Sequence, residues 1–394
     1  MLKNRNLIIF GDDWDRYPTT MQHTGKILAK YNRILWIGSL GLRKPQIGWY
    51  DLYRFFEKGM KFLSRKKKNA KSANVWELHP LIIPFHDHAL IRKFNLWSLR
   101  YFLKKTIAEL NFENPILITS TPLVANLLGT LGETSSHYIC LDDYSLFDRA
   151  FLSLRELEQQ LLEKVDSSFS VSDILVQARV PKSGEAHFLP QGVDTDHFMP
   201  SADTLPPNIA SVKKPIVGFF GILTTWVDID LVIRCARRYP NVSFVLLGRS
   251  TIDLTNVSMT SNMVHLGEVP YSELPRYANN FDVGLIPFHV NSLTVAANPL
   301  KLLEYLSLGL PVVSTCLPEV EKFRDEVFIA RDNEHFMQLI DVALQDNTPE
   351  RNHRRRARAE QFSWMTIVEN ISDTINRIES FKPGYRNKLE RTYN

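Results

Sequence analysis

At 394 residues the chain is too long for one ordinary core, so two domains of roughly 200 residues are expected. Its 44% hydrophobic and 23% charged residues suit a soluble globular protein, and no window approaches the roughly 18 apolar residues of a membrane span. The net charge of +4 comes with no nucleic-acid reading motif, which argues against DNA or RNA as a partner.

The chain opens on MLKNRNLIIFGDDW, a short apolar run that meets Asp12 and Asp13 at once. That is the pattern of a first strand, not of a signal peptide. A helix is expected over 19–30 and a strand over 33–39. Trp49, Tyr50, Phe55 and Phe56 then precede a densely basic stretch, 58–71, that contains the run Arg65–Lys68. Basic residues beside aromatics suit an anionic membrane surface, and the plain alternative is a solvated helix face followed by a loop. Helices follow at 90–110 and 153–164, and strands at 116–119, 137–142 and 167–172. Short apolar runs alternating with amphipathic ones indicate parallel sheets wrapped by helices.

Pro190, Gly192, Pro200, Pro206 and Pro207 then break the periodicity and mark a linker. Beyond it, strands are expected at 215–221, 242–248, 262–268, 282–288 and 311–315, and helices at 228–238, 273–280, 299–307 and 335–345. The boundaries that result are 1–195 for one Rossmann-like domain and 196–363 for a second. A helical segment, 364–394, should pack back on the first. Ligands of such sheets bind beyond the carboxyl ends of the strands, so a cleft between two such domains is the expected site. Cys140, Cys235 and Cys316 lie far apart in apolar runs and read as buried, reduced thiols without metal-ligand spacing.

The string AANPLKLLEYLSLGLPVVST, residues 296–315, carries the most chemistry. Asn298 fits a helix N-cap and Pro299 the first helical position. Free amides and the positive dipole end would then seat a diphosphate, Lys301 would add a charge, and Glu304 would take ribose hydroxyls. Taken by itself the string also fits an ordinary capped helix with a surface Lys–Glu pair. Gly218 and Gly221 leave room for close approach of a ligand, and Arg249 is a second cation. Asp142 and Asp143 follow a strand end. Either could take a proton as a general base, or cap the next turn. His23 and the pair His86–His88 are weaker acceptor-side candidates. No set of residues with metal-ligand spacing is present, so no metal or other cofactor is expected.

Four collinear segments resemble GT-B glycosyltransferases: LPQGVDTDHF, VGFFGILTTWVDIDLV, HLGEVPYSELPRYANNFDVGLIPF and LLEYLSLGLPVVST. The resemblance implies a GT-B fold, two doubly wound parallel-sheet domains, with a nucleotide-sugar donor site in the second. Glu304 matches the ribose-binding glutamate. Ala296 stands where retaining relatives of family 4 place a second glutamate. That variant is similar to a branch of teichuronic-acid-type transferases and xanthan-type glucuronosyltransferases. In that branch the residues matching Lys301 and, with looser spacing, Glu268 bind the donor, and an aspartate near Asp142 is expected as base.

The sequence therefore reads as a cytoplasmic transferase, peripheral at the inner membrane face. It would move sugar from a UDP-type donor to a bacterial surface glycan or lipid-linked saccharide, without metal and with inversion favoured. Two other readings are a sugar-nucleotide 2-epimerase of the same fold and a non-catalytic sugar-nucleotide-binding subunit.

Overall fold

A computed structural model describes residues 1–14, 18–42, 44, 66–68, 74–80, 82–200 and 206–381. The chain divides into two compact units, with boundaries at 189/190 and 364/365.

The first unit is an eight-stranded sheet. Its strands are β1 (Asn6–Phe10), β2 (Arg33–Ile37), β3 (Lys66–Lys68), β4 (Val75–Leu78), β5 (Ile116–Thr119), β6 (Ser135–Cys140), β7 (Ser167–Ser170) and β8 (Glu185–Phe188). They run in the order β3-β4-β2-β1-β5-β6-β7-β8, all parallel except β3, which pairs antiparallel with β4. Central strands such as β5 (ILIT) and β6 are buried along their whole length, as a sheet with both faces covered requires. Helices α1 (Thr20–Leu28), α2 (Ala89–Leu110) and α3 (Leu154–Leu162) belong to this unit.

Trp36 of β2 organises the turn after β1. Its ring fills the space left by Gly11 and Gly25, where a Cβ would come within 2.7 and 2.5 Å of it. Its indole N–H donates to the Asp12 carbonyl at 2.9 Å, and Trp14 packs edge-on with centroids 4.7 Å apart.

The second unit holds β9 (Ile216–Phe220), β10 (Ser243–Leu247), β11 (Met263–His265), β12 (Val283–Ile286), β13 (Val312–Thr315) and β14 (Val327–Ala330). This sheet is wholly parallel, in the order β11-β10-β9-β12-β13-β14. The chain therefore reverses direction across the sheet beside its first strand, β9, which puts a topological switch point at the β9–β12 boundary. Helices α4 (Ile229–Arg238), α5 (Leu300–Leu308), α6 (Asn333–Gln345) and α7 (Pro349–Glu360) pack on it. Asp228, Asp332 and Thr348 cap α4, α6 and α7 through their side chains. Helix α8 (Trp364–Ser380) returns the chain to the first unit, where Arg5 pairs with Glu379 and Arg377 with Glu185.

Two details correct the sequence-based expectations, and one expectation falls on residues that are not described. Helix α5 begins at Leu300 with Pro299 in the cap position at ψ 112°, so Asn298 is not its N-cap and Pro299 is not its first helical residue. The cause is local: the Pro299 carbonyl already accepts the first-turn bond from the Leu302 amide, at 3.1 Å. Cys316 is exposed, because it follows the end of β13, with its sulfur 3.5 Å from Glu321. The aromatic cluster at Trp49, Tyr50, Phe55, Phe56 and the side chains of Arg65–Lys68 lie outside the described residues.

Gly218, in the middle of β9, sits under the Phe281 ring, and an added Cβ would lie 2.2 Å from it. Gly218→Ala should therefore cost about 1–3 kcal/mol by overpacking. The check is the urea midpoint at unchanged m; a wild-type midpoint would mean that the ring can withdraw.

Candidate functional site

The carboxyl ends of β9, β10 and β12 converge on one patch of the second unit. After β9 the chain turns at Gly221, whose φ is +134° and whose amide donates to Leu247 at 2.9 Å. After β10 it turns at Gly248, φ +136°, where a Cβ would lie 2.0 Å from the Gly221 carbonyl. Only glycine permits both this left-handed backbone and this approach. The loop 221–228 is closed on one side by the Leu223 amide donating to Arg249 at 2.9 Å. On the other side the Asp228 amide donates to Pro287 at 2.7 Å, and His289 to Trp226 at 2.9 Å.

Lys301, in the first turn of α5, extends over Gly221. A Cβ on that glycine would meet the lysine Cε at 3.3 Å and Nζ at 3.6 Å. The ammonium lies between two rings, 4.8 Å from the Phe288 centroid and 5.3 Å from Phe219. Such placement favours a cation, and it also strips water from it. No ion pair within 4 Å reaches Lys301 among the described residues, although Glu304 shares its helix face. Burial lowers the Lys301 pKa, partly offset by Glu304. The same burial raises that of Glu304, partly offset by Lys301. Glu304 also acts on Tyr271, whose phenol is pushed up by burial and then by this carboxylate; Tyr271 stacks on His197 with centroids 4.3 Å apart.

The other expected donor-side residues fall around this pair. Arg249 follows Gly248 and is exposed, with no ion pair among the described residues. Glu268 is exposed too, and follows Gly267, whose carbonyl accepts from the Gly248 amide at 2.7 Å. Asn298 and Pro299 lead into α5, whose first amides have no partner within the helix. Ala296 is buried. An anion resting on Gly221 would face the Lys301 ammonium and the opening of α5 together. Phe219, Phe288 and Tyr271 were not foreseen. The only cue was to Phe219, which sits at the end of β9 two residues before the glycine turn.

In the first unit, Asp142 and Asp143 follow β6 and prove different. Asp143 caps the turn Tyr144–Leu146: its carboxylate accepts from the Ser145 amide at 3.2 Å and hydroxyl at 2.6 Å. It also pairs with Arg179 at 2.9 Å. Burial would raise its pKa, but the Ser145 and Arg179 contacts prevail and lower it. Arg179, itself buried, bridges to Glu158 at 3.2 Å, and Glu158 accepts from the Tyr138 hydroxyl at 2.7 Å. Arg179 and Glu158 are therefore site-forming residues that no local motif announced. Asp142 is half-buried; both it and Asp12 lie close enough to Tyr144 to raise its phenol's pKa, after burial. Asp12 belongs to the turn held by Trp36, so the ends of β1 and β6 bring acidic groups together.

His23 lies in the first turn of α1, half-buried. His86 is a buried packing residue, 3.2 Å from the Leu40 carbonyl and edge-on to Phe151. It lines a cavity of about 210 Å³ with Leu40, Leu99, Leu123 and Leu157, and with Arg92 at its wall. Among the described residues no three His, Cys, Asp or Glu side chains converge as metal ligands would, and no helix is long and apolar enough to cross a membrane.

Residues 214–346, within the second unit, match the family described as "Glycosyl transferases group 1". Over 180 residues the chain is 26% identical to TuaH of Bacillus subtilis (strain 168), provisionally assigned as a teichuronic acid biosynthesis glycosyltransferase. That match spans 43% of this chain and 45% of the relative's length.

Solved structures resemble nearly the whole chain. Sucrose-phosphate synthase from Thermosynechococcus elongatus aligns with a TM-score of 0.72 at 13% identity, over 96% of this chain and all (100%) of that one. Anabaena HepE in complex with UDP and glucose aligns at 0.64 and 15% identity, over 94% of this chain and 99% of that one. An Escherichia coli trehalose-6-phosphate structure bound with UDP-2-fluoro glucose aligns at 0.68 and 12%, over 96% and 100%. With the two parallel sheets, these likenesses establish the GT-B fold.

The lysine and glutamate generate a test of the site. Lys301→Ala should weaken UDP binding by about 1.5–3 kcal/mol, the worth of a charge-assisted contact, and Glu304→Ala should weaken it without unfolding the chain. On this assignment the ligand engages the ammonium and the carboxylate. Affinity should therefore fall as pH rises through the lowered Lys301 pKa, and fall again as pH drops through the raised Glu304 pKa. Calorimetry in buffers of different ionisation enthalpy should show proton uptake on the alkaline side. Affinity and uptake unchanged in both variants would remove the assignment.

Proposed function

We propose that the chain is a glycosyltransferase that moves a sugar from a UDP-sugar to a hydroxyl of a bacterial cell-surface glycan or lipid-linked saccharide. The carrying observation is the Lys301–Glu304 pair over Gly221: a desolvated cation with no ion pair within 4 Å among the described residues, beside a carboxylate one helical turn away that offsets its burial only in part. A diphosphate supplies the missing anion and a ribose the hydroxyls. The group 1 domain, and the UDP and UDP-sugar named in two of the similar structures, support the same donor. The likeness to a teichuronic acid protein supports a surface-polysaccharide acceptor.

In the proposed reaction Asp142 takes the proton of the acceptor hydroxyl, whose oxygen bonds to the anomeric carbon as the bond to the diphosphate oxygen breaks. Lys301, Arg249 and the first amides of α5 take up the charge on the leaving diphosphate, which favours transfer without a metal. Asp142 is favoured over Asp143 because Arg179 and Ser145 already occupy the Asp143 carboxylate and hold it ionised at low basicity. Ala296 offers the donor sugar no carboxylate, which favours a single displacement with inversion. The enzyme would work in the cytoplasm, at the inner face of the membrane.

Asp142→Asn should lower acceptor-dependent turnover by about 10²–10⁴ while UDP affinity and melting temperature stay near wild type. Asp143→Asn should instead lose mainly stability, through the Arg179 pair. A dead Asp143→Asn beside an active Asp142→Asn would reverse the two roles. Turnover should also persist in excess chelator, and NMR of the first-formed product should show the anomeric configuration inverted. Activity abolished by chelator and restored by Mg²⁺ or Mn²⁺, or a retained configuration, would refute those parts of the proposal.

A further inference from the structure

Helix α2 has its polarity inside out. The residues it buries include Asn95, Ser98 and Thr106 beside Leu99 and Leu103, and Asn95 is held by the Ile83 amide and carbonyl at 2.9 and 2.8 Å. Its outward face carries Leu90, Phe94, Trp97 and Tyr101, which are 80%, 37%, 61% and 51% exposed. Their spacing of four, three and four residues aligns them along one stripe of the helix. The rings stack: Phe94 and Trp97 are 5.9 Å apart, and so are Trp97 and Tyr101. Among the described residues, packing gives no reason for aromatic residues to line this face.

The stripe is flanked by cations. Lys93, Lys104 and Lys105 are exposed and make no ion pair within 4 Å among the described residues. Arg100 lies at the margin, and the helix contains no Asp or Glu before Glu109. A second copy of the chain is a poor occupant, since a two-fold contact would set this basic face against itself. A surface both apolar and anionic satisfies both features, with aromatic rings at the headgroup level and lysines reaching phosphates.

We infer that α2 is a docking surface for an anionic lipid bilayer, with Leu90, Phe94, Trp97 and Tyr101 entering the interface and Lys93, Lys104 and Lys105 on its headgroups. The inference concerns where the protein sits, not what it transfers, so vesicle binding and turnover can fail independently.

The test is co-sedimentation of the full chain with phosphatidylglycerol–phosphatidylcholine vesicles at low salt, against vesicles of phosphatidylcholine alone. Wild type should sediment with the anionic vesicles and be released by salt. A triple variant, Lys93→Glu, Lys104→Glu and Lys105→Glu, should lose about a hundredfold in partition, from about fivefold per lysine near such a surface. Trp97→Ser with Tyr101→Ser should lose more than about tenfold with charge intact. Both should keep wild-type melting temperature and UDP affinity, and Trp97→Ser alone serves if the pair does not. Wild-type binding by either variant would overturn the inference. So would a wild-type chain that ignores anionic vesicles, or a lipid-free dimer that Trp97→Ser dissociates.

Discussion

Lys301 is an ammonium group held between two aromatic rings, over a glycine, without an acid in ion-pair range among the described residues. Taking such a charge from water costs free energy that only an anion can restore. A lysine and a glutamate three residues apart on a helix would ordinarily close on each other. Here each is instead left with its charge disfavoured, the lysine's pKa pushed down and the glutamate's up by burial. Much of the second unit serves this arrangement. Gly221 and Gly248 bring two strand ends together at left-handed φ, Phe219 and Phe288 close over the cation, and Pro299 opens α5 beside them. The strand order puts all of this at a switch point, where the loops after β9 and β12 part and leave room for a ligand.

The first unit solves a different problem, that of making two adjacent aspartates unlike. One arginine does so. Arg179 reaches Asp143 and Glu158, and Glu158 in turn holds the Tyr138 hydroxyl, so the turn after β6 is tied to β6 itself and to α3. Burial works against the Arg179 charge, and the two carboxylates more than restore it. The same burial pushes the Cys140 thiol up to about 12, aided by Glu158, which leaves it an inert packing group. Asp142, half-buried, lies like Asp12 close enough to Tyr144 to act on its phenol.

Much of the architecture was legible because its determinants are local. Strands buried on both faces must be apolar throughout, and ILIT or PVVST can be little else. The strands that escaped notice are edge or near-edge ones: β3 and β4 end the first sheet on one side, β8, EAHF, is half exposed and carries a glutamate, and β14 is a four-residue run next to the charged 321–326 stretch. Helix α5 was legible as a string, but its start was misplaced by one residue because the decisive bond is made by a proline carbonyl. Arg179, Tyr271, Phe219 and Phe288 were invisible for another reason. Their contacts join residues far apart in sequence, and an arginine after a helix or a phenylalanine at a strand end has no spacing that marks it.

That contrast explains why the two units yield so unequally to a reading of the sequence. A diphosphate and a ribose demand a fixed set of groups, and one helix with its two flanking turns supplies most of them, so the chemistry is written in a contiguous string. An acceptor hydroxyl demands only a base and a shaped surface. On the proposed reading they come from the ends of β1 and β6, which are far apart in sequence and come together only once the sheet has formed. Helix α2 extends the same logic to the surface. Its period is that of any helix packed on a sheet, and only its orientation, with asparagine and serine inward and tryptophan outward, separates a packing element from a face that is itself a binding surface.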